Sequence, residues 1–167
     1  MTLSRPITLL AGAVVPLTAL AVAIGGTGAS AATTHPETAG ARPTLQARTT
    51  ALGKILVDSQ GRTLYLFKKD SGTKSACFGA CAAAWPPLRA TGKPTVGSGA
   101  KASMVATTKR SDGKPQVTYN GHPLYRFQGD TKPGDTNGEG LTAFGGRWWA
   151  ISPAGTQITG KAASNGY

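Results

Sequence analysis

The sequence predicts a mainly β fold: a small antiparallel sheet built from two related β-hairpin repeats, plus one short helix carrying a disulfide. Three observations lead there. The chain repeats itself: residues 53–70 set over 113–130 compare GKILVDSQGRTLYLFKKD with GKPQVTYNGHPLYRFQGD. The copies agree without a gap at Gly53/Gly113, Lys54/Lys114, Val57/Val117, Gly61/Gly121, Leu64/Leu124, Tyr65/Tyr125, Phe67/Phe127 and Asp70/Asp130, and self-similarity of this kind dictates architecture. Each copy also has a turn signal between two strand-like runs. Asn120-Gly121 is the strongest two-residue signal for a type I′ turn, which needs positive φ twice, and Gln60-Gly61 stands in the same place in the first copy. Finally, the Ala-rich stretch Ser75 to Ala84 holds both cysteines and stops at Trp85-Pro86-Pro87, which limits it to one or two helical turns.

Along the chain, residues 1–31 read as a secretory signal peptide. Arg5 supplies the basic start, Ile7 to Ile24 the apolar stretch and Ala29-Ser30-Ala31 the cleavage site. An uncleaved membrane anchor is the competing reading, disfavoured by Pro16 and the small-residue exit. Residues 32–51 form a Thr/Ala/Pro-rich arm and 154–167 a polar, Gly/Ala-rich tail, both read as flexible because neither holds enough apolar surface to offset the entropy of ordering. The single β domain is then 52–153. If both hairpin loops hold two residues, Val57 faces Leu64 and Val117 faces Leu124. Tyr65 with Phe67 and Tyr125 with Phe127 fall on the opposite face. Ser103 to Thr108 and Trp148 to Ser152 read as further strands, for five or six in all. Only 19 of the 136 residues after the signal are Leu, Ile, Val or Phe. The expectation is therefore that the aromatic face is core; a stacking platform for sugars or bases is the alternative.

The two stretches Tyr65-Leu66-Phe67-Lys68-Lys69-Asp70 and Tyr125-Arg126-Phe127-Gln128-Gly129-Asp130, the run Cys77-Phe78-Gly79-Ala80-Cys81 and the following Trp85-Pro86-Pro87-Leu88 resemble a bacterial secreted-repeat family, often described as predicted lipoproteins, with a tandem YxFxxD motif. The resemblance covers roughly Leu52 to Pro153. It implies an extracytoplasmic tandem-repeat protein and no established activity. Two departures stand out: no lipidated cysteine follows the apolar stretch, and the cysteines are spaced CxxxC.

Residue by residue, the chemistry points away from catalysis. Cys77 and Cys81 are the only thiols, and in an exported chain they are expected to form a local disulfide. A redox-active pair is the alternative, although neither the usual CxxC spacing nor a βαβ context is present. Asp135, Asn137 and Glu139 alternate in a Gly-rich loop like the opening of a calcium site, but Gly146 stands where the bidentate acid should be. Turn chemistry is the competing reading. His35 and His122 make no zinc spacing with the cysteines, no G-x-S-x-G elbow or P-loop appears, and no cofactor is expected. The formal charge of +11 is dispersed. It suits solubility and contact with anionic cell-envelope polymers rather than nucleic acid, for which no basic helix or motif exists. The sequence thus predicts a secreted, monomeric, non-catalytic binding module of the cell envelope that meets a membrane only through an uncleaved signal. A metal-binding or redox accessory protein is the alternative.

Overall fold

The structure is a computed structural model that describes residues 44–160. The expected signal peptide, residues 32–43 of the expected arm and residues 161–167 of the expected tail lie outside the described residues. Among the described residues, eight short strands and one α-helix follow in the order β1 (Leu45–Thr50), β2 (Gly53–Asp58), β3 (Tyr65–Phe67), α1 (Ala80–Ala84), β4 (Val105–Lys109), β5 (Pro115–Tyr119), β6 (His122–Pro123), β7 (Thr142–Ala143) and β8 (Gly146–Ala150), with a 3-10 turn at Ala102–Met104 leading into β4. They form three small antiparallel sheets, β1-β2, β4-β5-β6 and β3-β8-β7, instead of the one sheet expected.

Two boundaries differ from the sequence reading. Leu45–Thr50, expected to be part of the flexible arm, is strand β1, paired with β2 from Leu45↔Asp58 to Thr50↔Gly53. Its end is further tied down by Ala47 N donating to Ser98 O at 2.9 Å. The counterpart of β1 in the second copy is β4, so this strand belongs to the repeat. The start of the expected tail is also held: Ile151 bridges Gln157, and Ile158 N donates to Ala150 O at 2.8 Å.

The second hairpin has the expected two-residue turn, with Asn120 and Gly121 both at positive φ (48° and 80°) and Tyr119 opposite His122. The first does not. Asp58 N donates to Arg62 O and Gly61 N to Asp58 O, so the loop holds the three residues 59–61 and Val57 bridges Thr63, not Leu64. The reason is the Asp58 carboxylate. Its Oδ1 accepts Gln60 N and Arg62 N at 2.8 and 3.0 Å, while Oδ2 pairs with Arg62 Nε at 3.2 Å and Arg126 Nε at 2.6 Å. A carboxylate with three donors and a second guanidinium beside it organises a wider loop than a bare I′ turn. A one-residue change of register moves side chains to the other face. Val57 accordingly packs with Tyr65 and Phe67, and Leu56 takes the place that Val117 holds in the second copy.

The β1–β2 loop is shorter by one residue than the β4–β5 loop, since Thr50 pairs with Gly53 whereas Arg110 N donates to Lys114 O across three residues. The two length differences cancel, which is why the copies align without a gap although β2 and β5 are out of step.

Two cores result. One is aromatic: Tyr65, Phe67, Trp85, Tyr125 and Trp148, with Ile55, Val57, the cysteines and Ala150. The other is aliphatic: Leu45, Leu56, Leu64, Leu66, Leu88, Val117, Leu124 and Ile151 with Tyr119.

Candidate functional site

The repeated motif lies where the two copies meet. Tyr65 N donates to Tyr125 O at 2.9 Å and Tyr125 N to Tyr65 O at 3.0 Å. This reciprocal pair places a local two-fold axis between the motif tyrosines, and the segments around them are exchanged. The first motif strand, β3, pairs with β8 at the end of the second copy (Phe67↔Trp148). The second motif segment is completed by the end of the first, through Arg126 N to Pro86 O and Gln128 N to Ala84 O. Likewise Leu88 joins the second hairpin (Leu88 N to Leu124 O, Val117 N to Leu88 O), and Ile151 joins the first (Ile151 N to Leu64 O, Leu56 N to Ile151 O). Each copy thus gives its last residues to the hairpin of the other.

The exchanged ends bring the rings together. Trp85 and Trp148 stack with centroids 3.9 Å apart, Phe67 lies on Trp148 at 4.0 Å and Phe127 on Trp85 at 4.2 Å, giving a four-ring column. Tyr65 meets Trp85 edge-on at 5.3 Å and Tyr125 meets Trp148 edge-on at 5.1 Å. Phe67, both tyrosines and both tryptophans are buried, so these rings are core and offer no stacking platform. Edge-on and offset contacts of this kind add to the burial of a large apolar area.

The hydroxyls and carboxylates of the motif cross over. Tyr65 donates to Asp130 Oδ2 at 2.7 Å, and Tyr125 donates to Asp70 Oδ2 at 2.9 Å. Each aspartate turns its other oxygen to its own downstream loop, Asp70 Oδ1 accepting Ala76 N at 2.8 Å and Asp130 Oδ1 accepting Asn137 N at 2.9 Å. Burial lifts the Asp70 carboxyl to about 6, against donation from Ala76 and Tyr125. Burial raises Asp130 as well. Both phenols are pushed up by burial and by the carboxylate beside them, so they remain donors. Gly138 N donates to the Tyr65 hydroxyl at 3.2 Å, and a Cβ there would stand within 2.9 Å of both the Trp85 and Tyr65 rings, so only glycine fits.

Cys77 and Cys81 are bonded, with Cα atoms 5.2 Å apart, and both are buried, which leaves little sulfur surface for thiol exchange. The staple holds the turn that leads into α1. Its carbonyl at Cys77 accepts from Arg110 Nη2 at 2.6 Å, while Nη1 of the same guanidinium donates to Ser75 Oγ and Gln116 Oε1, each at 2.7 Å. Ser75 Oγ lies 2.8 Å from the Tyr125 hydroxyl, so the guanidinium is linked to the Tyr125–Asp70 pair.

Asp135, Asn137 and Glu139 are not gathered into a calcium cage. Asp135 Oδ2 accepts Thr131 N and Lys132 N at 3.0 and 2.9 Å, Asn137 Nδ2 donates to Gly129 O at 3.0 Å, and Glu139 Oε2 accepts Ala150 N at 2.7 Å. Each side chain serves a different turn or strand. Among the described residues, no three His, Cys, Asp or Glu side chains gather where they could hold a metal ion. Nor, among them, is any helix long and apolar enough to cross a membrane.

Charge is divided unevenly between core and surface. The described residues hold 15 Lys and Arg against six Asp and Glu; twelve of the cations are exposed and, of the carboxylates, Asp112 alone.

Sequence reasoning missed Arg110, Ser75 and Gln116, whose buried network joins distant segments. It also missed that Trp85 and Trp148 are counterparts. A second alignment with an offset of 63 sets Trp85 over Trp148 and Leu88 over Ile151, and would have found the latter.

Among known proteins, no curated protein and no solved structure matches the chain. A family model described as a secreted repeat of unknown function matches twice, at residues 46–89 and 106–152. The two matches begin with β1 and β4 and end just past Leu88 and Ile151, the same limits as the exchanged units. With two copies that span more than half of its length, the chain belongs to this family of secreted repeats.

Proposed function

We propose that the protein is an exported, non-catalytic binding module whose ligands are anionic polymers of the cell envelope. The observation that carries the reading is the uneven exposure of charge: five of the six described carboxylates are buried or half-buried while twelve cations face solvent. The surface is therefore more basic than the composition alone conveys. Such a surface raises the local concentration of polyanions and loses its hold as salt screens it over about 8–10 Å. The family's secreted character supports an extracytoplasmic setting for this charge. The YxFxxD residues support the same reading indirectly, since their hydroxyls and carboxylates are engaged with one another and the surface charge is what is left to meet a ligand. The test is co-sedimentation of the purified protein with protein-stripped envelope at rising salt. Retention that falls steeply with salt, and that falls also when anionic polymers are extracted from the envelope, is the expected result. Absence of retention at low salt contradicts the reading.

A further inference from the structure

Between the disulfide loop and the β4–β5 turn lies a cavity of about 410 Å³ lined by Lys74, Ser75, Phe78, Lys109, Arg110 and Ser111. Phe78 is 42% exposed, a large ring that the fold does not bury, and the Arg110 guanidinium sits 4.7 Å from its centroid. Because Phe78 stands between the two bonded cysteines, its backbone is pinned on both sides. The Arg110 side chain is 1% exposed, and its Nε has no hydrogen-bond partner. The carboxylates near it are Asp112, 3.6 Å from Nε and shared with Arg89 at 3.5 Å, and Asp70, which feels the guanidinium charge. Against these two carboxylates stand Lys74, Lys109, Arg110 and Arg89. The buried guanidinium is not a requirement of the repeat: the counterpart of Arg110 in the first copy is Thr50, and that of its partner Gln116 is the core residue Ile55.

We infer that this cavity binds a phosphodiester unit of a polyol- or sugar-phosphate polymer. The Lys74 and Lys109 ammonium groups pair with the phosphate, the Ser111 hydroxyl donates to it, and the exposed part of the Phe78 ring packs on the C–H face of the polyol. The inference rests on the reading above and gives that polyanion surface a specific site.

The experiment titrates the purified protein with soluble poly(glycerol phosphate), inorganic phosphate, uncharged dextran and phosphatidylglycerol vesicles at low salt. The wild type is expected to bind poly(glycerol phosphate) and not dextran. Lys74→Gln with Lys109→Gln should weaken polymer binding about tenfold or more. Lys101→Gln with Lys132→Gln, which removes the same charge from exposed positions elsewhere, should weaken it less than about threefold. Phe78→Ala should weaken binding of the polymer and leave that of inorganic phosphate unchanged. Because all five substituted side chains are exposed, unchanged melting temperatures are expected. Equal loss from the two double variants overturns the site while leaving the polyanion reading standing. Failure of the wild type to bind the polymer contradicts that reading itself, and binding to vesicles alone overturns the site in favour of a lipid surface.

Discussion

The first repeat ends in a five-residue helix stapled by Cys77–Cys81, whereas the second ends in the β7–β8 hairpin, whose turn residues Phe144 and Gly145 both have positive φ. The loops flanking β2 and β5 also differ in length by one residue in opposite senses. Yet the four-ring column, the reciprocal Tyr65–Tyr125 pairing and the crossed Tyr–Asp hydrogen bonds match from copy to copy. The difference teaches which parts the repeat needs. Loops and staples are interchangeable local solutions, while the exchanged strands and the groups that lock them together are shared, because each copy supplies what completes the other.

The sharpest way to break this comparison is to remove one member of the ring column. Trp85→Ala and Trp148→Ala should each cost about 3–5 kcal/mol, comparable to the whole stability of a marginal domain. Urea denaturation should find the two costs within about 1 kcal/mol of each other if the copies are equivalent at the column. A large asymmetry would show that one repeat is the scaffold and the other an attachment.

The staple should matter less and only locally. Replacing both Cys77 and Cys81 by Ser should cost about 1–2 kcal/mol, since a short loop restricts the unfolded chain little. Hydrogen exchange should quicken at amides around Ala80–Ala84 and remain unchanged in the β7–β8 hairpin, the counterpart that has no staple. Uniform quickening would contradict the view of the staple as a local device.

A smaller effect reads the two aspartates through pH. Burial raises the Asp70 carboxyl from 3.8 to about 6, so the folded state holds that proton more tightly than the unfolded chain does. Its contribution is therefore fully present below about pH 4 and is lost as pH rises through about 6. Partial exposure and solvent screening keep the amplitude modest. Stability measured from pH 4 to 7 should flatten in Asp70→Asn, and an unchanged slope would remove Asp70 from the account. Asp130 is shifted in the same direction, so Asp130→Asn should flatten the curve as well.

Much of the fold was legible in the sequence. Asn120-Gly121 announced its turn because two positive φ values in succession suit few residue pairs. The shortage of aliphatic residues already pointed to buried aromatics, and the spacing of Cys77 and Cys81 to a short staple. β1 was hidden because LQARTT holds a single large apolar residue, Leu45; only the strand expected at 103–108, carried back by 60 residues, pointed to it. The register of the first hairpin was hidden because Asp58 looks like any strand-end residue until its three donors and its ion pair with Arg126 are known. The alternating Asp135, Asn137 and Glu139 gave the pattern of a cation loop without its geometry, since one oxygen each of Asp135 and Glu139 accepts backbone amides of different segments and the Asn137 amide donates to Gly129 O. The crossover was beyond sequence altogether: two identical Tyr and Asp pairs are compatible with bonds within a copy or between copies, and only the exchange of strands decides.

That crossover is the central claim, and a double-mutant cycle tests it directly. Tyr65→Phe combined with Asp130→Asn should show a coupling of about 1 kcal/mol by denaturant unfolding, because the two residues share one buried hydrogen bond. Tyr65→Phe combined with Asp70→Asn, the pair within one motif, should be additive to within about 0.3 kcal/mol. Coupling within the motif and additivity across the repeats would contradict the exchanged architecture.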